Sequence, residues 1–206
     1  MKAVVYGLLD LLAPHRCPGC DEALGPGTDG FCEVCAVGLE PARSTDGGRA
    51  AYVFGGPLAD AIRRFKYGRR SELATPLGLR LAEAAVRLAG EVDAVVPVPL
   101  HPRRLRERGF DQAALLAGPV AHALAVPRMT GVLRRVRDTR PQASLDMAVR
   151  AANVRGAFVV RGAPPPRVLL VDDVRTTGAT LAECAERLRA AGARRVHPLV
   201  LARAEP

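Results

Sequence analysis

Two adjacent carboxylates and a run of hydroxyl groups form the most chemically distinctive stretch of the chain. Asp172 and Asp173 follow four apolar residues, and the threonine-rich segment 175–180 comes next. The apolar run is typical of a strand buried on both faces of a parallel sheet. Segment 181–188 has apolar residues at helical spacing, and Gly192 is placed to end that helix. The pattern predicts polar groups at the carboxyl end of a strand, where open α/β sheets bind ligands.

The loop and the two acids suit different parts of one ligand. Hydroxyls and backbone amides at a helix N-terminus bind phosphate, because unpaired N–H groups and the helix dipole attract negative charge. Carboxylates instead accept hydrogen bonds from neutral hydroxyls, or they hold a hydrated Mg²⁺. A phosphate beside vicinal hydroxyls describes a ribose 5-phosphate, and the alternative is an acidic strand end with an ordinary helix cap. The candidate residues are Asp172 and Asp173 for the hydroxyls, and Arg175, Thr176, Thr177, Gly178, Ala179 and Thr180 for the phosphate.

A second group of candidate ligand-binding residues follows another predicted strand, 93–100. Two prolines confine its ladder hydrogen bonds to its beginning, and a stiff, cation-rich turn comes directly after it. Such a turn can hold a pyrophosphate, since guanidinium groups offer paired donors to phosphate oxygens. The alternative is a basic surface loop. The candidates are Pro99, Leu100, His101, Arg103, Arg104 and Arg108.

A further basic cluster surrounds the end of a predicted helix that carries apolar residues from Leu58 to Phe65. Its members suit either phosphate contact or a solvated face with cations at a helix C-terminus, and the second interpretation is slightly favoured for each residue. The cluster comprises Arg63, Arg64, Lys66, Arg69 and Arg70.

Four of the five cysteines form two Cys-x-x-Cys pairs separated by eleven residues: Cys17 with Cys20, and Cys32 with Cys35. Four thiolates at this spacing suit the tetrahedral coordination of Zn²⁺, and such a closed site is structural rather than catalytic. Disulfide pairing is the alternative, and a reducing cytoplasm disfavours it. The fifth cysteine, Cys184, lies on the apolar side of the late helix and is expected in the core.

The order of these segments predicts two domains. Residues 1–45 would hold an N-terminal helix and the four-cysteine ribbon, and residues 46–206 would hold an α/β domain, with the linker-like stretch 41–49 between them. Helix 111–124 contains Gly118-Pro119, which predicts a kink or two pieces.

Length and charge limit the classes of function. A chain of 206 residues with a formal charge of +9 can bury one full core, and its charge favours anionic partners. An Arg-rich composition set by the genome is an equally good explanation of that charge. There is no run of 18 apolar residues, and residues 1–12 suit a short amphipathic helix better than a signal peptide. We therefore expect a cytoplasmic protein without a membrane span.

Five segments in this order resemble one protein family. They are the four-cysteine segment, residues 96–101, the Arg-Gly-Phe-Asp-Gln stretch 108–112, residues 153–158 and the segment 168–180. The last of them resembles the phosphoribosyl pyrophosphate motif of type I phosphoribosyltransferases. Together they resemble the ComF family of phosphoribosyltransferase-like proteins and its GntX-type relatives. Asp111 stands where the family commonly has Asn, and Arg175 stands where an apolar or aromatic residue is usual.

The resemblance implies an α/β fold of the type I phosphoribosyltransferase kind, with a mostly parallel central sheet, flanking helices and a flexible hood. It implies phosphoribosyl pyrophosphate with Mg²⁺ as the ligand and transfer to an unidentified acceptor. Asp172 and Asp173 would then position the ribose and stabilise positive charge at its anomeric carbon. The polar segment 137–151, between predicted strands 130–136 and 153–160, would close over the donor and exclude water.

The family's association with competence and DNA uptake leaves a second function open. The same fold would bind single-stranded DNA or a partner of the DNA-uptake machinery without catalysis. Such binding needs cations beside stacking aromatic rings. The candidate aromatic residues near basic ones are Tyr52, Phe54, Phe65, Tyr67 and Phe110.

Overall fold

The computed structural model describes residues 15–25, 30–43, 49–138 and 152–204. Their centre is a four-stranded sheet with the order β1-β6-β5-β2, in which every neighbouring pair is parallel. A separate antiparallel ribbon pairs β3 with β4. The strands are β1 (Arg49–Val53), β2 (Ala94–Pro97), β3 (Leu133–Arg135), β4 (Phe158–Val160), β5 (Arg167–Arg175) and β6 (Arg195–Arg203).

Helices cover both faces of the sheet. The helices are α1 (Glu33–Val37), α2 (Gly56–Tyr67), α3 (Ala74–Ala85), α4 (Pro102–Arg108), α5 (Gln112–Ala123) and α6 (Ala179–Ala190). Side chains alternate along β5, so that Leu169 and Val171 join the core formed with α2, α3 and α5. Val168 and Leu170 join a second core formed with α6 and the β3–β4 ribbon. This arrangement confirms the predicted fold class and the strand buried on both faces.

The proline in α5 does not divide the helix, so the predicted division into two pieces was wrong, and the kink remains a prediction. One helix runs through Pro119 from Gln112 to Ala123. The reason lies in the packing of α5 on α3, because a Cβ built on Gly78 would come within 2.7 Å of the Pro119 ring. The ring fills the space that this glycine leaves, and the contact compensates for the missing backbone donor.

The four-cysteine segment packs against the α/β body. Cys17, Phe31, Cys35 and Leu39 belong to the same buried core as α2 and α3. Arg64 of α2 donates hydrogen bonds to the carbonyl oxygens of Pro18, at 2.8 Å, and Gly19. Backbone hydrogen bonds also join residues 40–42 to β1. The domain boundary near residue 45 remains a prediction.

The ribbon over the sheet is shorter than predicted. Strands β3 and β4 occupy part of the expected segments 130–136 and 153–160, and residues 152–154 are helical instead. Most of the predicted closing segment, residues 139–151, and the predicted helix 1–12 lie outside the described residues. Within the described ranges, no helix is long and apolar enough to cross a membrane.

Candidate ligand-binding cavity

A cavity of about 160 Å³ opens at the carboxyl ends of β2 and β5. It brings together groups from the two predicted strand ends, which lie about seventy residues apart in the sequence. We call the segment from Asp172 to Thr180 the acidic half, and of its residues Asp172, Asp173, Val174 and Thr180 are among the described lining residues. We call the cationic and amide side chains that line the cavity the basic half; they are Lys66, Arg104, Arg108, Gln112 and Arg135. The described lining residues are Lys66, Val98, Pro99, Leu100, Arg104, Arg108, Asp111, Gln112, Ala113, Arg135, Asp172, Asp173, Val174 and Thr180.

The two predicted acids lie within β5, two and three residues before its end, rather than after the strand. Lys66 Nζ lies 2.9 Å from Asp173 Oδ1, and both side chains are largely buried. Burial and the charge of Asp173 raise the pKa of Asp172 from 3.8 to about 8, although the amide of Asp173 donates to Asp172 Oδ1 at 2.8 Å.

The predicted phosphate loop follows the acids without interruption. Gly178 has φ +80°, a left-handed conformation that favours glycine, and its carbonyl begins α6 by accepting from the Ala182 amide. Thr177 Oγ1 accepts from the Ala179 amide at 3.4 Å. Thr180 lines the cavity, while Thr176 is exposed to solvent. Arg175 ends β5 beside Arg203, and burial with that neighbouring charge lowers its pKa.

The six candidates after β2 divide between the cavity and the surface. Pro99, Leu100, Arg104 and Arg108 line the cavity. The remaining two, His101 and Arg103, are not among its described lining residues.

His101 caps α4, where its Nδ1 accepts from the Arg103 amide at 3.4 Å. The Arg103 side chain is 67% exposed and pairs with Glu107 at 3.0 Å and Asp138 at 3.3 Å. The helical twist of α4 explains this division. Arg104 and Arg108 are four residues apart and share one face, whereas Arg103 lies on the next.

Four polar lining residues were not among the predicted site residues: Lys66, Asp111, Gln112 and Arg135. Lys66 belongs to the basic cluster for which a solvated face was slightly favoured over phosphate contact, because a basic run alone does not indicate which member turns inward. Arg135 lies on β3, where its guanidinium stands 5.4 Å from the centre of the Phe158 ring, and burial lowers its pKa. Residues 111 and 112 were part of the Arg-Gly-Phe-Asp-Gln stretch on which the family resemblance depends, but no role in a site was predicted for them.

Asp111 connects two elements that line the cavity, the loop after β2 and the start of α5. Its carboxylate accepts from the Leu100 amide at 2.9 Å and from the Ala114 amide at 3.0 Å, which caps α5 and ties it to the loop after β2. Burial raises the pKa of Asp111. Two backbone donors occupy both carboxylate oxygens, so this residue is a structural acceptor at the place where the family commonly has Asn.

The four-cysteine segment confirms the geometric part of its prediction. The Sγ atoms of Cys17, Cys20, Cys32 and Cys35 lie within 4.8 Å of one another, and all four are free thiols. Burial raises the pKa of Cys17, but backbone amides led by that of Cys20 lower it to about 7 overall. This sulfur cluster could bind Zn²⁺. Cys184 of α6 is fully buried in the second core, as expected of a core residue.

Comparison with curated proteins finds close similarity to DNA-related proteins. The chain is 36% identical to competence protein F of Haemophilus influenzae over 158 residues, which cover 72% of this chain and 69% of that protein. It is 38% identical to the DNA utilization protein YhgH of Escherichia coli K12 over 153 residues, or 71% and 67% of the two chains. No family model matches the chain.

Solved structures of lower similarity include two phosphoribosyl enzymes. The glutamine phosphoribosylpyrophosphate amidotransferase of B. subtilis is 23% identical, with a TM-score of 0.45 over 67% of this chain and 30% of that one. The orotate phosphoribosyltransferase of Aeropyrum pernix is 24% identical, with a TM-score of 0.42 over 79% and 72% of the two chains.

Proposed function

The chain belongs to the ComF family, with competence protein F and the DNA utilization protein YhgH, and we propose that it binds phosphoribosyl pyrophosphate with Mg²⁺. The observation that carries this proposal is the meeting of Asp172 and Asp173 with Arg104 and Arg108 in one cavity. A ligand with hydroxyls between two phosphate groups needs acceptors in the middle and donors at both ends. Thr180 brings the start of α6 to the same cavity, as the one residue of segment 175–180 among its described lining residues.

Each part of the ligand has a matching set of groups. The acids accept hydrogen bonds from the ribose hydroxyls. The amides of the loop 176–180 donate to the 5-phosphate at the start of α6. Arg104 and Arg108 face the diphosphate, for which guanidinium donors are suited.

The acid pair fits a divalent cation of the Mg²⁺ type. Mg²⁺ binds through one or two carboxylates together with substrate phosphates and waters, and Lys66 already places a positive charge 2.9 Å from Asp173. When bound, the ion would neutralise charge on the diphosphate oxygens.

We further propose phosphoribosyl transfer as the reaction. The bond between the anomeric carbon and the diphosphate breaks, the diphosphate leaves with the electron pair, and an acceptor nucleophile takes its place. Asp172 and Asp173 would hold the ribose and stabilise its developing positive charge, while Arg104 and Arg108 stabilise the departing diphosphate. These roles favour the bond-breaking half of the reaction, and the acceptor is unidentified.

Thermal unfolding with the ligand tests the binding proposal. Phosphoribosyl pyrophosphate with Mg²⁺ should raise the melting temperature of the wild-type protein, since it binds only the folded state. The double substitution Asp172→Asn and Asp173→Asn should abolish that rise. Asp60→Asn is the matched control, because Asp60 is exposed and pairs with Arg63. A wild-type protein whose melting temperature does not change with saturating ligand would reject the proposal.

We propose Zn²⁺ as the ion of the four-cysteine segment. Because this segment shares a core with α2 and α3, removal of zinc should destabilise the α/β body as well. Native mass spectrometry should show one zinc per chain, lost on chelation together with a fall in melting temperature. A folded protein with no bound metal and an unchanged melting temperature after chelation would contradict the assignment.

Binding of single-stranded DNA is the second candidate. Tyr67 is 74% exposed, and the guanidinium of Arg108 lies 5.4 Å from its ring centre. Arg63 lies 5.9 Å from the ring of Phe54. Aromatic rings beside cations are the elements that stack and attract unpaired bases. This candidate predicts salt-sensitive binding of a single-stranded oligonucleotide that weakens in Tyr67→Ala, and it fails if there is no binding at low salt.

A further inference from the structure

Gln112 is a buried amide in which one of the two polar side-chain atoms has no hydrogen-bond partner among the described residues. Only 2% of the residue is exposed, although it is the first residue of α5 and lines the cavity. Arg108 Nη1 donates to its Oε1 at 2.9 Å. Among the described residues, its Nε2 has no hydrogen-bond partner. A buried donor without an acceptor destabilises the folded protein, so this amide calls for an explanation.

The identity of the unused end follows from the chemistry of arginine. A guanidinium group only donates hydrogen bonds, so the end of the amide that Arg108 contacts is the oxygen. The other end is therefore the NH₂ group. A partner for it must accept a hydrogen bond, and the cationic neighbours Arg104, Arg108 and Lys66 favour an acceptor with negative charge.

We propose that Gln112 binds an anionic oxygen of the ligand's diphosphate group, with Arg108 holding the amide in the donating orientation. This inference rests on the proposed function and adds a specificity residue to it. Gln112 completes the basic half of the cavity, which Lys66, Arg104 and Arg108 supply with charge. A free pyrophosphate and the diphosphate of a phosphoribosyl donor present the same oxygens, whereas ribose 5-phosphate lacks them.

Substitution of Gln112 by Leu separates this role from a structural one. Leucine has a similar volume and no donor, so removal of the unpaired amide should leave stability unchanged or raise it. Loss of a hydrogen bond to a charged oxygen should weaken binding of inorganic pyrophosphate about tenfold or more. Binding of ribose 5-phosphate should stay within about twofold of the wild type. Gln112→Glu should weaken pyrophosphate binding further, because it places a negative charge against the anion.

The matched control is Asp60→Asn, and calorimetric titration with the three ligands is the measurement. Wild-type binding of pyrophosphate that persists unchanged in Gln112→Leu would overturn the role of Gln112. So would an equal loss for pyrophosphate and ribose 5-phosphate, which would mean general damage to the cavity. Failure of the wild-type protein to bind phosphoribosyl pyrophosphate, while it binds pyrophosphate through Gln112, would reject the proposed function and leave this inference standing.

Discussion

The two halves of the cavity are built in different ways. The acidic half is one continuous segment from Asp172 to Thr180, in which a strand, a turn and a helix start follow each other. The basic half collects Lys66 from α2, Arg104 and Arg108 from α4, and Gln112 from α5, with Arg135 from β3. The first half depends on local backbone geometry, and the second depends on how distant elements pack. Substitutions that change packing but leave the local backbone intact should therefore affect the basic half more than the acidic half.

Among the single substitutions, the largest loss of stability is expected at the ion pair that joins the halves. Lys66→Met leaves Asp173 buried without its counter-ion, which should lower the free energy of unfolding by about 3 kcal/mol. Arg63→Met is the control on the same helix, because the Arg63 side chain is 63% exposed in its pair with Asp60. That change should cost at most about 0.5 kcal/mol. Urea unfolding measures both, and equal effects would mean that Lys66 does not support the acids.

The acidic half should make stability depend on pH. Between about pH 4 and pH 8 the folded protein keeps the proton on Asp172, whereas the unfolded chain has lost it. Rising pH therefore lowers stability through this range, by up to about 1.4 kcal/mol per pH unit, and the loss is complete above pH 8. Asp172→Asn removes this slope and should be more stable than the wild type at pH 8.

Thermal unfolding of the ligand-free protein at several pH values provides the measurement, with Asp60→Asn as a control that keeps the wild-type slope. Equal slopes in Asp172→Asn and the wild type would place the pKa of Asp172 near its ordinary value. The same variant should bind the proposed donor poorly. A gain in stability together with a loss of binding would identify the acid pair as a functional site rather than a stabilising one.

The difference between local geometry in the acidic half and long-range packing in the basic half also explains how much could be predicted from the sequence. The acids, the loop and α6 were predicted because strand periodicity, hydroxyl content and Gly192 are all local signals. The buried apolar run 168–171 and the family resemblance together predicted the parallel sheet. In contrast, Lys66 could not be singled out from its basic cluster, because its inward direction follows from the packing of α2 on the sheet. Gln112 needs three-dimensional contacts to reveal its unused donor.

Packing far from the cavity should affect the basic half more than the acidic half. Gly78→Ala places a Cβ within 2.7 Å of the Pro119 ring, so α5 must shift or the contact must open. We expect a loss of stability of about 1–2 kcal/mol. Because α5 begins at Gln112, pyrophosphate binding should also weaken, while ribose 5-phosphate binding should change less. Chemical unfolding and titration measure the two effects, and an unchanged stability would contradict the proposed role of this contact.

The smallest effect is expected at Arg103, which the sequence placed with Arg104 and Arg108. Its side chain is 67% exposed and pairs with Glu107 and Asp138, so Arg103→Ala should change pyrophosphate affinity by less than about twofold. Arg104→Ala, one residue along α4, removes a cation from the cavity lining and should weaken binding about tenfold. Calorimetric titration of both variants with pyrophosphate measures the two affinities, and each variant serves as the control for the other. Equal losses would mean that the ligand contacts both faces of α4 and that the basic half extends beyond the cavity.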